Sequence, residues 1–274
     1  MTTTLRPVEP LQQQPDGTRS RRYQVCVNSR PVGEIHLATS PSFDDSMATI
    51  SELWIAEPDR RRGRATVAAL AAEEVVRGWG CTQIVAVVPA SADLALRLFG
   101  TLGYTLRNRR MEKHLGTVVP ELPPGSTARP MTETDFTAWQ EHERERYART
   151  WMERGVPEPA ARAKARGDHE RLLPHGLATD GVRLSVLEHE GARVGVLWLA
   201  LQDDKAFVFG VETGAAHRGR GHGRTLMLLA ERQAVEAGRR ILGLNVFAGN
   251  TPAERLYESL GYETTSHSLA KTLL

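Results

Sequence analysis

The sequence predicts a mixed α/β protein made of two tandem copies of one unit, because it repeats internally and alternates strand-like with helix-like segments. A shift of 158 residues without a gap aligns at least eleven identities, from Arg60 on Arg218 to Tyr104 on Tyr262. Identities that keep one register across two glycine-rich turns indicate a duplicated unit. Strands that alternate with helices are typical of α/β and α+β proteins, in which helices cover a sheet.

A break in composition separates the two copies. Residues 116–126, GTVVPELPPGS, hold three prolines and two glycines between periodic segments, which is typical of a linker. We therefore expect a first domain at 1–115, a linker at 116–126 and a second domain at 127–274.

The second copy contains the more complete set of elements. After a short strand near Ala128, Thr132 is placed to cap a helix that has Asp135 at its third position. A last strand opens at Tyr262. Between them the sequence predicts a helix at 157–173, strands at 182–188, 193–201 and 206–213, a helix at 221–237, a strand at 241–246 and a helix at 251–260.

The first copy is shorter at its front. The fifteen residues between its first predicted strand, 5–8, and its second, 24–27, are rich in Gln, Pro and Gly and show no helical period. The two helices predicted at the start of the second copy therefore have no counterpart in the first.

Composition excludes several classes of protein. The 274 residues carry a net charge of +2, spread too evenly for a nucleic-acid-binding surface. Apolar runs are far shorter than the roughly 20 residues of a membrane span, and the first residues lack the apolar core of a secretory signal. Cys26 and Cys81 provide neither a disulfide framework nor a metal cluster. We expect a cytoplasmic protein without a metal, and the excess of Arg over Lys is typical of a high-GC bacterial genome.

A glycine-rich turn in the second copy joins a predicted strand, AFVFGVET, to a predicted helix. Its glycines let the backbone curl tightly and bring N–H groups close to an anion. The helix that follows adds unpaired amides and a positive dipole end, which favour a bound pyrophosphate. A plain tight turn is the alternative. The residues that alternate in this turn are Arg218, Gly219, Arg220, Gly221, Gly223 and Arg224.

Two motifs of the second copy resemble those of the GNAT (GCN5-related) N-acetyltransferases. Arg218-x-x-Gly221-x-Gly223 is similar to the family's acyl-CoA pyrophosphate motif, and residues 244–263, LNVFAGNTPAERLYESLGYE, are similar to its second motif. The first copy matches more weakly, at RRRGRA, residues 60–65, and at LFGTLGY, residues 98–104. The resemblance implies a tandem GNAT protein, in which each mixed sheet is splayed between two central strands and acetyl-CoA lies in the opening.

The resemblance also assigns the residues that would hold acetyl-CoA. Backbone amides of the turn would bind the pyrophosphate, and the end of the preceding strand would lie beside the pantetheine, where one N–H polarises the thioester carbonyl. Asn250 matches a side chain that bonds the pantetheine arm, although it is equally placed to cap a helix. The expected contacts are Val211, Glu212, Thr213, Arg218, Gly219, Arg220, Gly221, His222, Gly223, Arg224 and Asn250.

Three residues of the second copy are the leading candidates for catalysis. Tyr257 matches the family's general acid, which protonates the departing CoA thiolate; an aromatic side chain packed on the apolar helix face is the alternative. Glu212, an acid within an apolar strand, is the candidate base for an ammonium acceptor, unless alternation turns it to a polar surface. Asn245 would face the same cleft and orient acceptor or water. His217, beside the turn, is a second candidate base, with a solvated histidine as the alternative.

The first copy lacks the corresponding side chains. Phe99 takes the place of Tyr257 and has no proton to give, and the counterparts of the two candidate asparagines are Ala92 and Val87. We therefore expect the first domain to be structural or CoA-holding. The alternative is a second active site with other acids, among them Glu52 and Glu57.

These observations predict an acetyl-CoA-dependent N-acetyltransferase whose second domain acts on a primary amine by direct attack in a ternary complex. Residues 132–173, expected to wall the acceptor side, hold nine acidic and eight basic residues, a balance that disfavours a polycationic aminoglycoside. We expect a peptide α-amine or a small specialised metabolite as acceptor, and a monomer or homodimer. Alternatives are a non-catalytic acyl-CoA-binding protein and a protein-lysine or aminoglycoside acetyltransferase.

Overall fold

Two compact units, each built of parallel and antiparallel strands with its own helices, make up the structure, a computed structural model that describes residues 2–40, 43 and 46–273. The first unit contains the residues up to Asn108 together with those from Ser266 onward, and the second contains Arg109–Thr265. Helices and strands alternate in both units, which confirms the predicted mixed α/β class in two copies. In the described chain, none of the helices is long and apolar enough to cross a membrane.

The first unit is built on a sheet with two helices. Its elements are β1 (Thr3–Pro7), β2 (Gln12–Gln13), β3 (Arg19–Val27), β4 (Arg30–Thr39), β5 (Met47–Ile55), α1 (Arg64–Gly78), β6 (Gln83–Pro89), α2 (Asp93–Thr101), the start of β7 (Thr105–His114) and most of the last strand, β13 (Glu263–Thr272). The strands run in the order β1-β3-β4-β5-β6-β13, with β2 on β3. Only β5 and β6 are parallel among these neighbours. As predicted, the described residues between β1 and β3 include no helix.

The second unit has the two additional helices. It contains the rest of β7, then β8 (Ser126–Pro130), α3 (Glu133–Met152), α4 (Glu158–Leu172), β9 (Val182–His189), β10 (Ala192–Leu201), β11 (Ala206–Thr213), α5 (His222–Glu236), β12 (Ile241–Phe247) and α6 (Thr251–Ser259). The strand order is β7-β12-β11-β10-β9-β8. Residues 116–125 of the connection predicted at 116–126 lie between β7 and β8, and Ser126 begins β8.

The core of the second unit lies on both faces of its sheet. Along β10, Leu197 and Leu199 pack in the aliphatic cluster that includes α5, whereas Val196 and Trp198 pack in an aromatic cluster that includes α3. Because successive strand residues point to opposite faces, α3 and α5 cover opposite sides of the sheet. The candidate site is therefore approached by α5 from one side and by α3 from the other.

Most of the last strand of each copy lies in the unit that is formed mainly by the other copy, whereas the predicted domain boundaries kept each strand with its own copy. β7 follows α2 in the first copy, yet from Arg109 onward it belongs to the second unit, where it neighbours β12. β13 follows α6 in the second copy, yet from Ser266 onward it belongs to the first unit, where it pairs antiparallel with β6. The expected division into 1–115 and 127–274 assumed that each copy keeps its own last strand.

Two ion pairs with buried carboxylates hold β7 and β13, the strands that the two copies exchange. Glu231 of α5 is 4% exposed and accepts a hydrogen bond from the Lys113 ammonium of β7 at 2.8 Å. Glu73 of α1 is 3% exposed and accepts two from Lys271 of β13, at 2.9 and 2.8 Å. The same 158-residue shift relates the two pairs, so each copy supplies the lysine that neutralises the buried carboxylate of the other.

We expect Lys113→Met to destabilise the second unit, although Lys113 precedes the predicted linker. The change leaves the buried Glu231 carboxylate without its cation, at a cost of about 2–3 kcal/mol, below the full range for buried pairs because Lys113 is partly exposed. The experiment measures the midpoint temperature of the unfolding transition that moves to higher temperature when acetyl-CoA is added. The double variant Lys113→Met/Glu231→Gln should recover part of the loss; a strictly additive loss would show that the pair does not stabilise the unit.

Candidate active site

A cleft opens in the sheet of the second unit where two parallel strands separate. The pairing of β11 with β12 runs from Ala206 opposite Leu242 to Val208 opposite Leu244. At this point a register shift opposite Trp198 and Leu199 of β10 leaves one extra residue in β11. Such a bulge bends a strand and increases its local twist, and β11 continues past it to Thr213. The expected splay between two central strands is present.

The turn at the end of β11 forms an anion cradle. Gly219 and Gly221 have φ values of +74° and +87°, and Gly221 is the N-cap of α5. A Cβ atom on either glycine would meet nothing within 4 Å, so the turn borders open space. The first amides of α5 are unpaired within the helix and attract an anion, which fits the pyrophosphate of acetyl-CoA. Gly223 packs closely instead, since a Cβ there would lie 3.3 Å from Leu256.

Other expected acetyl-CoA contacts take defined places around the cradle. The Asn250 side chain caps α6 by accepting from the Ala253 N–H at 3.4 Å, which is the alternative that the sequence had allowed. His222 is 6% exposed, and its ring lies 5.1 Å from that of His189. Burial, followed by the nearby histidines His189 and His217, lowers the pKa of His222. The guanidinium of Arg224 donates to the Ser259 hydroxyl at 2.6 Å.

Helix α3 contacts both strands that flank the opening. It begins with the predicted capping box, in which the Thr132 and Asp135 side chains each bond the other's backbone N–H. Along it, Trp139 and Trp151 are each 5% exposed, and the Trp151 ring lies 5.4 Å from that of Phe247 in β12. The Glu143 side chain of the same helix lies beside Gly210 in β11. The helix thereby places its charged residues against the opening.

Glu143 is the charged residue that α3 buries most deeply. It is 4% exposed, and its Oε1 lies 4.0 Å from the position that a Cβ on Gly210 would take. The Arg146 guanidinium donates to both carboxylate oxygens, with Nε 2.8 Å from Oε2. Burial raises the pKa of Glu143, and Arg146 opposes that rise. The pair fixes a guanidinium at the edge of the opening.

Tyr257 lies on the other wall of the opening, on α6. It is half-buried, and its ring centre is 6.0 Å from that of Tyr262. Burial raises the pKa of the Tyr257 phenol, whereas the positive charge of Arg146 lowers it. The phenol therefore stays protonated at neutral pH and can act as an acid.

Glu212 and His142 meet where α3 approaches β11. The His142 Nε2 lies 3.0 Å from the Glu212 Oε1, and the side chains are 59% and 23% exposed. Both line a cavity of about 300 Å³ between α3 and β10. Asn245 is exposed on β12 at the opposite edge of the opening. The remaining lining residues are Ala138, Trp139, Arg193, Val194, Gly195, Val196 and Gly214.

The corresponding opening in the first unit keeps the backbone but changes the side chains. Gly63, with φ +72°, is the N-cap of α1, and a cavity of about 830 Å³ lies beside it. Phe99, in the place of Tyr257, is 4% exposed and packs edge-on against Tyr104 at 5.0 Å. The buried Asp59 lies in the turn that precedes the helix, paired with the guanidinium groups of Arg30 and Arg64.

Sequence reasoning did not identify three residues of α3 that face the site. The aromatic residues Trp139, Tyr147 and Trp151 of α3 are eight and four positions apart, and Glu143 fills the missing position between the first two. An acid on a buried helical stripe is a signal of a buried carboxylate, because residues four apart share a helix face. His142 and Arg146 are likewise four apart, but nothing local indicates which face meets the opening.

Comparison with known proteins gives the family. The sequence profile described as the Acetyltransferase (GNAT) family matches residues 3–104 and 136–262. An uncharacterized N-acetyltransferase of Bacillus subtilis, YdgE, is 28% identical over 158 residues, which cover 54% of this chain and 98% of that protein. A mycothiol acetyltransferase of Thermomonospora curvata is 28% identical over 256 residues, covering 89% of this chain and 79% of its own.

A solved structure shares the two-unit fold. It is a tandem GNAT protein from the clavulanic acid biosynthesis pathway, with a TM-score of 0.55 and 19% identity. The alignment covers 96% of this chain and 85% of that one. The likeness supports the tandem fold alone.

Proposed function

Because this chain belongs to the GNAT acetyltransferase family, we propose that its second unit transfers the acetyl group of acetyl-CoA to the primary amine of a compact acceptor. The family and the relatives named N-acetyltransferase make the protein an acetyltransferase. The observation that carries the assignment to the second unit is an opening with an anion cradle, an acid and a base on its walls. In the first unit Phe99 stands where the acid would be.

The chain's own residues divide the work of direct transfer. The amides from Arg218 to Arg224 hold the pyrophosphate, and a backbone N–H of β11 between Val211 and Thr213 stabilises the carbonyl oxygen as the amine attacks. The C–N bond forms, the C–S bond breaks, and Tyr257 gives its proton to the departing thiolate. Glu212 belongs to the group that removes the proton of the ammonium acceptor, and Asn245 orients acceptor or water.

The acceptor cavity supports a small amine. Its volume of about 300 Å³ lies at the lower end of the range for small-molecule sites and admits a compact metabolite or the first residue of a peptide. Arg193 lines it beside Glu212, so the wall carries both signs of charge and does not favour a polycation. The likeness to a mycothiol acetyltransferase over most of the chain also supports a small-molecule acceptor.

The first unit serves as a structural partner in this proposal. The first copy also supplies Lys113 and Met111, in the part of β7 that belongs to the second unit, where Met111 is 1% exposed in the core. Its own opening lacks an acid at Phe99 and carries the Asp59 carboxylate in the turn.

Acetylation of an amine panel by the full-length protein tests the proposed function. The panel contains compact monoamines, dipeptides with a free α-amine, a lysine-containing peptide blocked at its N-terminus, and an aminoglycoside. We expect the release of CoA thiol together with a product 42 Da heavier, the mass of an added acetyl group, with the first two classes ahead of the others. Acetyl-CoA binding without any amide product would favour a non-catalytic acyl-CoA-binding protein.

A further inference from the structure

We propose that His142 is the base that removes the proton of the acceptor ammonium, and that Glu212 is a positioning residue that orients it. The inference rests on the proposed function, since it concerns the same reaction. Sequence reasoning had placed the base on β11, at Glu212. The juxtaposition of α3 with β11 brings an imidazole to that carboxylate and extends the site toward the acceptor cavity.

The geometry fixes which nitrogen of His142 can act. The Nε2 lies 3.0 Å from the Glu212 Oε1, and a carboxylate accepts a hydrogen bond but does not donate one. The hydrogen therefore sits on Nε2, which leaves the Nδ1 lone pair for a proton from the acceptor. A base oriented through its other ring nitrogen by a carboxylate is the arrangement that recurs in hydrolases with catalytic histidines.

Access to the cavity favours the histidine over the carboxylate. The His142 side chain is 59% exposed and the Glu212 side chain 23%, and both line the 300 Å³ cavity. The imidazole can therefore reach an acceptor and later release its proton to water. The hydrogen bond to the ring occupies one oxygen of the Glu212 carboxylate, Oε1.

The charges around His142 come from three elements. Glu212 faces it from β11, Glu143 and Arg146 flank it on α3, and Arg193 of β10 lines the same cavity. Arg146 is bound by Glu143, and Arg193 by Asp135 at 3.1 Å. Each of the two arginines is thus paired with a carboxylate, of which Asp135 also binds Arg129, and Glu212 is the carboxylate that bonds the imidazole.

The protons balance in this scheme. The ammonium gives one proton to Nδ1 of His142, and the neutral amine then attacks the thioester carbonyl. As the C–N bond forms and the C–S bond breaks, the nitrogen loses a second proton and Tyr257 supplies one to the sulfur. The imidazolium then releases its proton to solvent. The second proton lost by the nitrogen replaces, by way of solvent, the proton that Tyr257 gave. The reaction therefore releases one proton in net.

Variants of the full-length protein test the proposal with the best amine of the panel. We expect His142→Ala to lower kcat/KM at neutral pH by about a hundredfold or more, the usual scale for a lost general base, and added imidazole to restore at least tenfold of that loss. Glu212→Gln keeps the ring and should lose about tenfold. His175→Gln, at an exposed histidine in the turn before β9, is the matched control and should be neutral.

The pH profile gives a readout that a structural role would not change. Because a protonated imidazole cannot accept a proton, the acidic limb of kcat/KM should persist in His175→Gln and disappear from His142→Gln. A loss in Glu212→Gln equal to that in His142→Ala, with no rescue by imidazole, would overturn the proposal in favour of Glu212 as the base. An active wild type with an unaffected His142→Ala variant would do the same, whereas an inactive wild type would overturn the proposed function itself.

Discussion

Replacing Gly221 with Glu is expected to abolish acetyl-CoA binding to the second unit and to lower acetyl transfer by about a thousandfold. Gly221 is the N-cap of α5 with φ +87°, a conformation that side chains rarely adopt. A Cβ there points into open space, so the new carboxylate would lie among the amides that hold the pyrophosphate. Isothermal titration with acetyl-CoA, read for both stoichiometry and affinity, measures the change.

Two further variants make the result specific. Gly221→Asn tests the backbone alone, since asparagine tolerates a positive φ and carries no charge, and it should retain measurable binding. Gly63→Glu places the same carboxylate at the N-cap of α1, where φ is +72°. If the second unit is the catalytic one, Gly63→Glu removes at most a second binding site and leaves turnover within about twofold. A loss of turnover in Gly63→Glu comparable to that in Gly221→Glu would contradict the assignment.

The parts of the fold that could be predicted are those governed by local sequence. The capping box at Thr132, the glycine turn at Gly219 and Gly221, and the strands of the second copy depend on residues a few positions apart. Such features follow from periodicity and from backbone preferences. The internal repeat also made the presence of two similar units predictable, because a duplicated sequence pattern implies a duplicated set of strands.

The exchange of final strands could not be predicted in the same way. β7 and β13 hold equivalent residues, with Lys113 and Lys271 at the same place in each copy, so either strand satisfies either buried glutamate by pattern alone. Which partner it joins depends on the length and course of residues 115–125 and on long-range packing. Local propensity carries no information on that choice.

The candidate site was predictable where a motif carries it and unpredictable where helix packing does. Tyr257 and the cradle lie in segments that match a family pattern, whereas His142, Glu143 and Arg146 lie on a helix whose sequence is charged on every face. The orientation of α3 is set by Trp139 and Trp151, which bury against the sheet. Only that orientation brings Glu143 inward and turns the residues beside it toward the opening.

Arg146 connects the two walls of the opening, α3 and α6, electrostatically. Glu143 binds the guanidinium through both oxygens and so keeps it in place beside Tyr257. The cation opposes the rise that burial causes in the pKa of the Tyr257 phenol. The buried carboxylate is thus explained by what it holds rather than by a contact with the acceptor.

Replacing Tyr257 with Phe is expected to lower kcat by about a hundredfold or more while leaving the affinity for acetyl-CoA within about twofold. The change removes one hydroxyl group from a half-buried ring and keeps the ring's packing against α6 and Tyr262. The departing thiolate then has to take its proton from water. Stopped-time assays of CoA thiol release give kcat, and titration with acetyl-CoA gives the affinity.

The pH dependence and a neighbouring tyrosine distinguish acid catalysis from packing. In the wild type the rate should fall as the pH rises through the pKa of Tyr257, because the ionised phenol has no proton to donate; this alkaline limb should be absent from Tyr257→Phe. Tyr262→Phe removes a hydroxyl that lies 3.2 Å from Glu231 and should lower stability while keeping the alkaline limb. Since Tyr262 is 3% exposed and contacts the same core, it controls for the loss of a buried phenol. Unchanged turnover in Tyr257→Phe would show that Tyr257 is a packing residue of α6 and that solvent protonates the thiolate.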